Sequence, residues 1–131
     1  MLELIEKAER AAKSARLLLE AGDADGACNR AYYAMFDAAR AALLASKAPV
    51  AAEVARTHGG LISAFSLHLV KTGLVSVELG RTLNKAEEIR LIADYLGDPI
   101  ELDIATWVVG QSEAFIQEMH MKFLGSMSDK A

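Results

Sequence analysis

Between Asp23 and Ser46 the chain reads DADGACNRAYYAMFDAARAALLAS, which as a helix is apolar around most of its circumference. At about 100° per residue, Asn29, Arg30, Tyr33, Asp37 and Arg40 fall within an arc of roughly 100°. The remaining arc is almost entirely alanine, Cys28, Met35, leucine, Phe36 and Tyr32. A helix apolar on most sides belongs in a core, enclosed by other helices. The rest of the chain must therefore supply those neighbours.

It does so in segments cut by glycine and proline. Ile5, Ala8, Ala12, Ala15 and Leu19 recur at spacings of three and four with charges between them, which predicts a surface helix with one buried seam. Gly22 suits a left-handed cap at its end, and Asp23 an N-cap for the next helix, so the first two form an antiparallel hairpin. The second runs to about Ser46, and residues 46 to 56, with Pro49, form the main loop. Thr57 caps a third helix through Leu61, Ile62, Phe65 and Leu69, closed by Lys71, Thr72 and Gly73. Ser76 starts a fourth, with Leu79, Leu83, Ala86 and Ala93 on one face and an end near Leu96 and Gly97. In DPIE, Asp98 reads as an N-cap, Pro99 as the first helical residue and Glu101 as the closing member of a capping box. The fifth helix carries Ala105, Val109, Ile116, Met119 and Phe123 and ends at Gly125. The expectation is an all-α up-and-down bundle of four to five helices, one domain over residues 1–125, with 126–131 a frayed tail.

Composition narrows the function classes. Eighteen acidic against fourteen basic side chains give a net charge of -4, so any nucleic-acid contact must be local. No apolar run approaches the roughly 18 residues that a membrane span needs, and MLELIEKAER lacks the pattern of a secretory signal. The single cysteine, Cys28, reads as packing in a reducing compartment, and the expected location is the cytoplasm.

Pattern alone allows the polar stripe on the second helix to be a plain solvated face. Its residue types point further: two arginines, an amide and a tyrosine suit a phosphate or a second protein surface better than the usual lysine and glutamate. Arg30, Tyr33, Arg40 and Asn29 are the candidate ligand- or phosphate-binding residues. Asp37, three residues before Arg40, has an intrahelical ion pair as its structural role. His58 in RTHGG stands where free backbone N–H groups at a helix start favour an anion, with capping by Thr57 as the alternative. His68 reads as a core-edge residue, and His120 has no evident chemical partner. Arg90 falls inside the apolar arc of the fourth helix with Glu87 and Asp94 one turn to either side, the pattern of a buried ion pair, with a phosphate contact as the alternative. No metal site, cofactor site or nucleophile arrangement appears.

The GDADGACNRAYYAMFDAARAALL segment, followed by RTHGGLISAF and AEEIRLIADY, resembles the HEPN-domain family, in particular the short stand-alone members grouped as UPF0332. The resemblance covers roughly residues 1 to 124 and is most specific in NRAYYAMF. It implies a helical bundle that commonly dimerises, with a nucleotide- or RNA-related role, often beside a minimal nucleotidyltransferase in toxin-antitoxin or defence systems. Active HEPN ribonucleases carry an arginine followed, after four to six residues, by a histidine, and pair two copies into a metal-independent RNA-cleaving site. Here that arginine is Arg30, and Asp37 stands where the histidine would be. An aspartate of ordinary pKa is a weak base, a poor acid and a negative charge facing the phosphate. Three readings follow. One is a non-catalytic homodimer binding a nucleotide, RNA or nucleotidyltransferase partner. Another is a ribonuclease toxin using Arg30 with Asp37 or His58. The last is a structural interaction module.

Overall fold

A computed structural model of the chain describes residues 2–125. Six helices pack as a bundle, with no strand among the described residues: α1 Leu2–Glu20, α2 Ala24–Ala45, α3 Ala52–Ala55, α4 His58–Phe65, α5 Val77–Leu91 and α6 Leu102–Met119. The last three each continue into a wider π-type turn, Ser66–Val70, Ile92–Leu96 and His120–Leu124. The all-α bundle expected from the sequence is the observed one. Its extra helix, the single turn α3, lies inside the stretch expected as loop.

Helix α2 occupies the centre and packs against α1, α4, α5 and α6. Thirteen of its residues are buried, from Ala27 to Leu43. The seam of α1, from Ile5 to Leu19, is buried against it. Both helices bury mainly alanine, which lets their axes come close. Larger side chains fill the space towards the other helices: Tyr32 and Met35 from α2, Leu61 and Phe65 from α4, Leu83 from α5, Phe115 and Met119 from α6. The Phe65 and Phe115 rings meet at 5.6 Å between centroids. No described helix is long and apolar enough to cross a membrane.

Most boundaries follow local chemistry. Asp23 accepts from the Gly26 N–H at 2.9 Å, Thr57 from Gly60 at 3.0 Å and Ser76 from Leu79 at 3.3 Å. Gly22, Gly73 and Gly97 all adopt positive φ, the left-handed conformation that lacks a Cβ penalty only for glycine. One other described residue shares it, Lys47 at φ 58°. It closes α2 with a pair of bonds, Lys47 N–H to Leu44 C=O and Ala48 N–H to Leu43 C=O, that reverse the chain.

The DPIE start is corrected. Helix α6 begins at Leu102, and Glu101 is its N-cap, with no side-chain capping bond. Asp98 and Pro99 lie in the connection, where the Ile100 N–H donates to the Asp25 carboxylate at 2.9 Å. That bond crosses from the α5–α6 connection to the first turn of α2 and overrides the local capping signal. Gly125 is still helical at φ -58°, and the tail 126–131 lies outside the described residues.

Two adjacent glycines test the start of α4. A Cβ at Gly60 would collide with the Val54 carbonyl and the Thr57 hydroxyl, whereas one at Gly59 meets nothing within 4 Å. Gly59→Ala should raise the thermal midpoint, through about 0.5 kcal/mol of helix propensity. Gly60→Ala should lower it, by about 1–3 kcal/mol of overpacking. Parallel melts followed by circular dichroism check both.

Candidate functional site

Where α5 meets α2, Arg90 enters the core with only 4% of its surface exposed. The helical spacing places a carboxylate on each side. Its Nε and Nη2 donate to the two oxygens of Glu87 at 3.3 and 3.4 Å, and Nη1 donates to Asp94 at 2.9 Å. The guanidinium also lies over the rings of Tyr32 and Tyr33, 5.0 and 5.7 Å from their centroids. Burial works against the charge, but Glu87, Tyr33 and Asp94 outweigh it, so the group is held protonated above its ordinary pKa. Asn29 Nδ2 approaches the same Asp94 oxygen at 3.5 Å.

Tyr32 is fully buried, and its hydroxyl lies 2.8 Å from His58 Nδ1. A buried tyrosine needs a polar partner, and His58, the first residue of α4, supplies one. Burial pushes the Tyr32 phenol far up from its usual pKa, and the Glu87 carboxylate pushes it further, so it stays protonated. Tyr33 and Phe36 complete an aromatic group around His58, with centroids 5.8 and 5.4 Å from its ring.

Asp37 faces the other way, towards α1. It is 6% exposed, with Arg40 Nη1 at 3.9 Å and Lys7 Nζ at 4.0 Å. Burial raises its pKa above the usual 3.8, and Lys7, Arg40 and Arg30 offset that only partly. The aspartate of ordinary acidity expected from the sequence is therefore corrected, because α1 covers it. Arg30 is half-buried, and its side chain makes no hydrogen bond or ion pair with any described residue, though its charge reaches Asp37.

The structure thus divides the polar stripe. Asn29 and Tyr33 turn to Arg90 and Asp94, while Asp37 and Arg40 gather with Lys7. His58 has no hydrogen bond to Arg30 or Asp37 among the described residues. The Thr57 hydroxyl caps α4. His68 is half-buried, and His120 Nδ1 lies 4.0 Å from Glu9, away from the stripe. Sequence reasoning missed Tyr32 and Lys7. The need of a buried phenol for a partner was a usable signal for Tyr32, whereas nothing local marks Lys7 among the charges of α1. No group of three or more His, Cys, Asp or Glu among the described residues is placed to hold a metal ion.

The family model for the HEPN domain matches residues 1–122. The chain belongs to the HEPN-domain family. A UPF0332 protein of Gloeobacter violaceus is 36% identical over 93% of this chain and 94% of its own length. A UPF0332 protein of Thermotoga maritima is 34% identical over 84% and 80%. A Methanocaldococcus jannaschii protein named "Putative toxin" is 32% identical over 88% of this chain and 83% of its own. This HEPN chain therefore has relatives named as toxins across the same span that holds the α2 stripe.

Two substitutions probe the arrangement. Arg90→Met should cost about 3–5 kcal/mol, because Glu87 and Asp94 lose the cation between them, and the urea midpoint should fall accordingly. For Asp37 the folded pKa lies above the unfolded one, so the folded state binds more protons between the two values. Its contribution is present at low pH and is lost as pH rises through the folded pKa. The advantage of Asp37→Asn in thermal midpoint should accordingly be larger at pH 7 than at pH 3.

Proposed function

We propose that this HEPN protein binds a single-stranded RNA segment along α2, with Arg30 and Arg40 each holding a phosphate. The supporting observation is the half-buried, unpaired Arg30 with Arg40 ten residues further on the same face. At 1.5 Å per residue the two lie roughly 15 Å apart along the helix axis, too far to grip one phosphate. A ligand with successive phosphates meets both, and a bidentate guanidinium is the group suited to each. The RNA-related role that the HEPN resemblance implies points the same way, and with a net charge of -4 any attraction to a phosphate backbone is local. With Asp37 in the position of the family's histidine, binding without cleavage is the primary reading, with a homodimer as the working form. A second copy or a minimal nucleotidyltransferase is the competing occupant of the face.

A ribonuclease toxin is the second reading, favoured by the raised pKa of Asp37 beside Arg30 and Arg40 and by the toxin-named relatives. A carboxyl group with a raised pKa is a better proton carrier than an ordinary one.

Fluorescence anisotropy with a single-stranded oligoribonucleotide at low salt tests the primary reading. Arg30→Ala should weaken binding at least tenfold, matching about 1.5–3 kcal/mol for a hydrogen bond to a charged group. It should also reduce the dependence on salt by about 0.7 in log–log slope. If wild type does not bind at low salt while light scattering gives a dimer broken by Tyr33→Ala or Arg40→Glu, the stripe serves protein association instead. Cleavage in chelator that disappears in Arg30→Ala and Asp37→Asn would install the toxin reading.

A further inference from the structure

Beyond the C-terminal end of α2 the chain folds back over itself. The left-handed Lys47 and the bonds from Lys47 and Ala48 to the last turn of α2 reverse its direction. Val50 and the single turn α3 are thereby brought over Leu43 and Leu44. Between them lies a cavity of about 240 Å³, walled by Leu43, Leu44, Val50 and Ala52 and lined also by two arginines, Arg40 and Arg56. Arg56, at the C-terminal end of α3, is exposed, and its side chain has no hydrogen bond or ion pair with any described residue. Among the described residues the Arg40 side chain has a single ion-pair contact, 3.9 Å from Asp37.

This shape and charge are selective. The volume lies below the roughly 300–1,000 Å³ of sites that enclose a whole drug-sized ligand, so it suits one ring system. Its walls are apolar, and guanidinium planes stack on flat aromatic rings as well as binding phosphate in a fork. An occupant that satisfies both has a planar, mostly apolar ring and an anionic phosphate attached nearby. A nucleotide unit has both parts, and single-stranded RNA is commonly recognised by splaying out such a unit and stacking it.

We propose that this cavity is a nucleotide-end subsite: it takes the base of one nucleoside monophosphate unit, with that unit's phosphate between Arg40 and Arg56. The proposal deepens the reading of α2 as an RNA-binding face and rests on it for the direction of the strand, from Arg30 towards Arg40 and into the cavity. The same chemistry is presented by a terminal nucleotide of RNA and by a free mononucleotide.

The test uses the full chain, with AMP in isothermal titration and two single-stranded hexaribonucleotides in anisotropy, one intact and one lacking both terminal bases. Ala52→Trp fills the cavity and Arg56→Glu reverses one of its charges. Both positions are exposed, and circular dichroism melts verify that each variant folds. Wild type should bind AMP, and each variant at least tenfold more weakly. Removing the terminal bases should weaken RNA binding by wild type and leave that by Ala52→Trp unchanged. An effect confined to AMP identifies the free mononucleotide as the ligand, and one confined to the RNA ends identifies the strand terminus. If neither variant differs from wild type with either probe, or wild type responds to neither, the proposal is overturned. If Arg30→Ala binds RNA as well as wild type while the cavity variants lose AMP, the stripe reading fails and the subsite stands.

Discussion

Helix α2 buries thirteen of its 22 residues, and the bundle follows from enclosing them. Four helices meet it, each presenting its own apolar face. Alanine dominates its contact with α1, so little rotamer freedom is lost there on folding and little area is gained per residue. The larger contributions come from a few residues such as Tyr32, Met35, Phe65 and Phe115, which fill the wider gaps towards α4, α5 and α6. Into this apolar setting α5 inserts Arg90. Two carboxylates and two aromatic rings surround the charge, and these are the groups that make its burial tolerable.

What was legible in the sequence was whatever depends on neighbours within a turn or two. Asp23, Thr57 and Ser76 start helices and Gly22, Gly73 and Gly97 end them, because capping is local chemistry. DPIE failed for the opposite reason. Its capping pattern is genuine, but a carboxylate 75 residues away, Asp25, claims the Ile100 N–H and the helix begins later. The single turn α3 was hidden because four residues carry no readable periodicity.

The site divides along the same line. Which residues share the polar face of α2 follows from helical angle alone. How that face splits does not, since it depends on where α1 brings Lys7 and where α5 brings Arg90 and Asp94. The acidity of Asp37 belongs with the tertiary facts: one carboxylate is ordinary when solvated and weaker when a helix lies over it. On the proposed reading, α2 combines two duties, since the residues that bury it and the residues that grip phosphate alternate along one element. Rigidity of the first kind serves the second, because arginines anchored in a packed helix keep their spacing when a ligand arrives.

Cys28 lies in the same helix, 1% exposed, with its thiol pushed up to about 11 by burial first and by Asp25 second. A thiol so protonated and covered carries almost no thiolate at neutral pH, and thiolate is the reactive form. The chain therefore contains a cysteine that is chemically silent towards maleimides while it stays folded. A new cysteine placed on any exposed position can take a spectroscopic label alone, with the native sequence otherwise kept, and uptake of a second label would itself report opening of the core.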